Sequence, residues 1–100
     1  MTNNYDLAIS NANVIHLETG KVENQNIFIS NGRIEAVKAA DFNNFEAETI
    51  IDATGKYLLP GFWDNHIHLR GGDSLIENNK NFLKLFIANG ITTVRDAGGD

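Results

Sequence analysis

The chain contains no cysteine, so it can form no disulfide and offers no thiolate to a metal. Basic side chains are few and scattered: eight Lys and Arg stand against thirteen Asp and Glu, a net charge of -5. That balance argues against nucleic acid and against an anionic membrane surface, both of which reward clustered positive charge. No stretch approaches the ~20 apolar residues of a membrane span. Residues 1–6 are polar and lack the basic start and apolar run of a signal peptide. Proline occurs once, at Pro60, where the pattern of the sequence changes. What is present is an ordinary globular composition, 42% apolar and 21% charged over 100 residues, as expected of a cytoplasmic protein with room for one domain.

Before Pro60 the chain reads as short strands. Residues 5–9 and 12–17 form two of them, separated at Asn11. Residues 26–30 and 33–37 flank Asn31-Gly32, a strong hairpin signal because a type I′ turn needs positive φ at both central positions. Residues 41–48 form a polar connector carrying Phe42 and Phe45, and 49–52 and 56–59 are strands around the turn Ala53-Thr54-Gly55. The expectation is a small antiparallel β unit over residues 1–59.

After Pro60 the elements alternate. Residues 62–69 are a dense apolar strand ending in His66 and His68. Ser74-Leu75-Ile76-Glu77 matches a capping box. Leu75, Ile76, Asn79, Phe82, Leu83, Phe86 and Ile87 follow helical spacing on one face, read as core packing, with Trp63 between strand and helix. Asn89-Gly90 supplies a stop, and residues 91–95 form a second β-branched strand. Strand, helix and strand in this order make a βαβ unit with parallel strands. One helix on two strands does not close a core, so the segment reads as the opening of a larger α/β domain.

The chemistry concentrates at Asp64, His66 and His68. In a strand, side chains two apart share a face, which sets these three together against Trp63, Asn65, Ile67 and Leu69. Two neutral imidazoles on one face suit zinc and its first-row neighbours. A catalytic zinc takes three protein ligands and leaves a position open. His16 is the only other histidine, and the remaining candidates are carboxylates such as Asp64 and Asp96. Either carboxylates complete the site, or its other ligands lie beyond residue 100.

These residues carry a resemblance. The run from Leu59-Pro60-Gly61 through Asp64, His66 and His68 resembles the first-strand motif P-G-x-x-D-x-H-x-H of the amidohydrolase superfamily. Residues 50–59 resemble that family's approach to the strand, Asn31-Gly32-Arg33-Ile34 its earlier hairpin, and residues 89–96 its second barrel strand. The resemblance implies an N-terminal part of a β-sandwich domain over residues 1–59. Residues 60–100 would be the start of a metal-dependent (β/α)₈ TIM barrel, incomplete in this chain, giving an α/β fold overall. It implies His66 and His68 as ligands of a divalent metal, zinc foremost. Asp64 would orient a ligand, and the general base, a late aspartate, would lie beyond residue 100. The implied activity is hydrolysis of C–N bonds in an amide, cyclic amide or dipeptide through a metal-activated water, by a protein that is a homo-oligomer at full length. Gly90 to Asp96 with Gly98-Gly99 looks most like the imidazolonepropionase and prolidase-like group. His66-Ile67-His68-Leu69-Arg70 resembles dihydroorotases and hydantoinases, in which the arginine binds a substrate carboxylate. Gly71-Gly72-Asp73 departs from the Glu-Pro-Gly expected there, and a solvated loop arginine is the plainer reading of Arg70. If the natural chain ended at residue 100, the alternative would be a non-catalytic binding or structural module.

Overall fold

Asn11 holds a φ of 57° in mid-strand, and the first part of the protein is organised around it. The computed structural model describes residues 3–69 and 71–98. The chain divides into two units, Met1–Leu59 and Pro60–Asp100.

In the first unit, β1 (Asn3–His16) is one strand of 14 residues, where the sequence suggested two separated at Asn11. A β-bulge reconciles the two pictures. Ile9 pairs with Ile27 and Ala12 with Gln25, so Ser10 and Asn11 together oppose Asn26. Asparagine tolerates the left-handed backbone better than most residues, so the strand bends there and continues. β2 (Lys21–Ser30) and β3 (Arg33–Ala39) form the expected hairpin. Asn31 and Gly32 take φ of 54° and 72°, as a type I′ turn requires.

β4 (Phe45–Asp52) and the two-residue β5 (Tyr57–Leu58) both lie on the other side of β1. The sheet runs β3-β2-β1-β4, with β5 also on β1. β4 pairs with residues 3–10 of β1 and β5 with Asn13 and Val14, both in parallel. The unit is therefore mixed, and the all-antiparallel expectation is corrected. The hairpin signal governs only β2 and β3, whereas the connector 40–44 carries the chain across to the far edge of β1. Between β4 and β5, Asp52 Oδ1 accepts the Thr54 N–H at 3.0 Å and the Thr54 hydroxyl at 2.5 Å, and Thr54 Oγ1 accepts Asn11 Nδ2–H at 2.8 Å. The turn that passes β1 from one partner to the next is thus tied to the bulge.

The core of this unit is small and aromatic. Phe28 is fully buried. It stacks on Tyr5 at 4.6 Å between ring centroids and meets Phe45 edge-on at 4.6 Å and Phe42 at 6.0 Å. Phe42 and Phe45, which read as part of a polar connector, are therefore two walls of the core. Such aromatic pairs gain about 0.5–1.5 kcal/mol beyond area burial.

In the second unit, β6 (Phe62–Ile67), α1 (Ile76–Ala88) and β7 (Ile91–Asp96) form the expected βαβ arrangement, β6 and β7 pairing in parallel. The join is close. A Cβ built on Gly61 would lie 2.8 Å from Thr92 Cβ and 1.9 Å from its Oγ1. Gly90 O accepts the Phe62 N–H at 2.7 Å. The capping box is not formed. A 3-10 turn over Asp73–Leu75 occupies that position, the helix starts with Leu75 as its N-cap and no side-chain cap, and Glu77 pairs with Lys80 at 3.1 Å.

No described residue of α1 is buried. Phe82, Leu83 and Ile87 are exposed, Phe86 is half-buried, and Trp63 is 63% exposed. The expected packing of this face and of Trp63 is not realised, because two strands and one helix offer too little surface to enclose it. No helix among the described residues is long and apolar enough to cross a membrane.

Candidate metal centre

The histidines stand where the parallel pair ends. The ladder between β6 and β7 closes with Ile67 opposite Asp96, and the Ala97 N–H reaches Ile67 O at 2.9 Å. Ile67 is buried, 7% exposed, and anchors the strand end, while His66 and His68 on either side of it are exposed. Their ring centroids lie 5.0 Å apart with planes at 79°.

That spacing suits a shared cation. Metal–nitrogen bonds of about 2.0–2.1 Å at a tetrahedral angle place two ligating imidazole centroids roughly 5 Å apart. The protonation of His68 is also directed. Its Nδ1–H donates to the Gly98 carbonyl at 2.5 Å, which in the neutral imidazole leaves the lone pair on Nε2. Two imidazoles so placed form a donor pair that suits a divalent metal.

Strict alternation does not hold along β6. The register passes from Asp64 opposite Val94 to Ile67 opposite Asp96, with one extra residue on the β6 side. Asp64 is half-buried, and its Oδ1 accepts the backbone N–H of His66 at 3.1 Å, so it fixes the main chain at the first histidine. Asp96 Oδ1 accepts the Gly98 N–H at 3.1 Å. Among the described residues no group of three His, Asp, Glu or Cys converges as a metal site. Neither carboxylate thus joins the two imidazoles as a third ligand.

His16 belongs to the first unit. Its Nε2 donates to Gln25 Oε1 at 2.8 Å and lies 3.6 Å from Glu23 Oε2. This places it at the end of β1, half-buried. Arg70 lies outside the described residues. Gly98, which entered the sequence pattern only as half of a diglycine, supplies the carbonyl that fixes His68. The available signal was the spacing Asp96-Ala97-Gly98, since an aspartate commonly accepts from the backbone two residues on.

No protein-family model matches the chain. The chain is 35% identical over 89 residues to adenine deaminase of Listeria welshimeri, covering 89% of this chain and 14% of that protein. It is 37% identical over 89 residues to dihydroorotase of Caldicellulosiruptor saccharolyticus, covering 88% of this chain and 21% of that protein. In structure it is similar to N-acyl-D-glutamate deacylase of Bordetella bronchiseptica, solved with zinc and a phosphonate mimic of the tetrahedral intermediate. That likeness has a TM-score of 0.72 at 28% identity and covers 92% of this chain and 18% of that one. The chain thus spans less than a quarter of the length of each of these proteins.

Proposed function

This chain belongs to the amidohydrolase superfamily, matching an N-terminal region of its members, and on that premise we propose that the protein carrying it is a metal-dependent hydrolase of C–N bonds. The observation that carries this reading is the His66–His68 pair, 5.0 Å between rings, at the C-terminal end of a strand in a parallel pair. Strand C-terminal ends are where barrel enzymes build their active sites. We assign residues 1–59 to a β-sandwich part and residues 60–100 to the opening of a (β/α)₈ barrel. The exposed Phe62, Trp63, Phe82, Leu85 and Ile87 support that assignment, because further barrel elements would cover such a surface.

His66 and His68 would hold the cation, and the zinc in the deacylase favours zinc. A divalent ion bound there would supply Lewis-acid polarisation of the substrate and lower the pKa of water. The chain's own residues do the positioning. Asp64 holds the His66 main chain, Gly98 O orients the His68 ring, and Ile67 anchors the strand end between them. The likeness to dihydroorotase favours a cyclic amide as a second reading of the substrate, in which Arg70 would bind a substrate carboxylate.

The test is metal analysis of the intact purified protein, followed by a hydrolysis panel of adenine, dihydroorotate and an N-acyl amino acid. Bound metal near stoichiometry, lost in the H66A/H68A double variant together with turnover of one substrate class, is the expected result. Metal content unchanged by the double variant would overturn the assignment of these histidines.

A further inference from the structure

His68 lies one residue beyond the last strand residue, so the ladder between β6 and β7 does not by itself fix its ring. What orients the ring is a loop contact 30 residues away in sequence, the Gly98 carbonyl. That carbonyl is itself held. Ala97 N–H is tied to Ile67 O at 2.9 Å, and the next amide, Gly98 N–H, donates to Asp96 Oδ1 at 3.1 Å. Gly98 adopts φ +107°, a conformation that L side chains rarely take. The Asp96 side chain thus holds the amide that precedes the Gly98 Cα, and with it the uncommon φ from which the Gly98 carbonyl continues to His68.

We propose that Asp96 is a positioning residue for His68, acting through the Gly98 backbone to keep Nδ1 protonated and Nε2 free for a cation. The first half of this inference concerns the metal-free protein alone; the second rests on the proposed metal centre. Asp96 is at the end of β7 and its oxygen is engaged with the backbone, so its contribution is made without touching the cation. Only an acceptor oxygen is needed at that position. Asparagine provides one in the same place, and alanine does not.

The first measurement uses the metal-free intact protein with ¹⁵N-labelled histidine, recorded at about pH 8.5, some two units above the ordinary imidazole value. Wild type and D96N are expected to show His68 as a single Nδ1–H tautomer. D96A is expected to show a mixture containing Nε2–H, with the His66 resonances unmoved. A folded D96A that keeps the pure Nδ1–H tautomer would overturn the proposal. Should D96A not fold, D96V serves instead: it removes the same acceptor oxygen with a side chain suited to a strand end, and is expected to give the same mixture. D96V folded with an unchanged tautomer would count equally against the proposal.

The second measurement is Co²⁺ titration followed by visible absorption. Removing the partner that orients a histidine ligand typically costs 10–100-fold in metal affinity, so D96A should bind Co²⁺ at least ~10-fold more weakly and D96N nearly as well as wild type. Unchanged affinity in D96A would overturn the role toward the cation. A wild type that takes up no Co²⁺ would sink the proposed metal centre, leaving the tautomer measurement to decide the role of Asp96 on its own.

Discussion

Asn26 Oδ1 accepts the backbone N–H of Asn11 at 2.8 Å, filling the bulge that lets β1 run past its own irregularity. Asn26 is 2% exposed, and its Nδ2 donates to Phe42 O at 2.9 Å and to Ala40 O at 3.4 Å. One amide therefore joins β1, β2 and the connector that delivers Phe42 to the core.

Replacing Asn26 should loosen all three. N26A strands a buried N–H and the carbonyls it served, at about 1–3 kcal/mol. N26D removes both donors and sets a carboxylate against two carbonyls, so it should be worse. The check is hydrogen exchange at the Asn11 amide, expected to accelerate at least ~5-fold in N26A, since each 1.4 kcal/mol is about tenfold. Unchanged protection at Asn11 would mean that water replaces the side chain without loss.

Gly61 is required by contact. In G61A the new methyl would meet Thr92 Cβ at 2.8 Å as well as its Oγ1 and Cγ2. Rotating the threonine moves only the outer atoms, because its Cβ is fixed by the backbone. Overpacking of this kind costs about 1–3 kcal/mol. The Phe62 amide, bonded to Gly90 O, should lose protection in G61A. The double variant G61A/T92G should regain much of it. Failure of that rescue would show that the clash is not the cause.

Acid sensitivity should be traceable to Asp52. The Thr54 hydroxyl, and then the Thr54 backbone N–H, hold its carboxyl below the ordinary aspartate value; slight desolvation opposes them and Lys56 adds a smaller lowering. A lowered folded value means that the contact stabilises above the unfolded value and is lost as pH falls through the folded one. T54A should move the Asp52 midpoint up toward the ordinary value and T54S should keep it low, both read by carboxyl NMR titration. An Asp52 midpoint that T54A leaves in place would remove Thr54 as the cause.

The β2–β3 turn depends on Gly32 at φ 72°. Alanine there should cost about 1–2 kcal/mol, the penalty of left-handed backbone for a residue with a Cβ. Faster exchange across the Ser30–Arg33 pair, with β6 and β7 unaffected, is the expected pattern in G32A. A global change would instead point to coupling between the two units.

Much of this was legible locally. Asn31-Gly32 specified its turn through the φ values it permits, and the apolar strands with a helix between them specified a parallel βαβ. Ala53-Thr54-Gly55 marked the turn between β4 and β5. The spacing of the two histidines placed them at one strand end, and the structure sets their ring centroids 5.0 Å apart. The capping box failed because a 3-10 turn took its place, which the four residues alone do not forbid. Phe42 and Phe45 were passed over because their neighbours are polar, although both close on Phe28.

The sequence by itself determined what depends on bonds a few residues long: hairpin chemistry, the order of elements, the absence of thiols, and an HxH pair at a strand end. Tertiary structure alone decided which partners lie across space. It set β4 and β5 in parallel on β1 and buried Asn26 in a bulge. It also brought Gly98, from beyond the next strand, to orient His68. The physical reason is that a side chain's local preferences fix its own backbone, whereas its hydrogen-bond partner is fixed by where the rest of the chain passes.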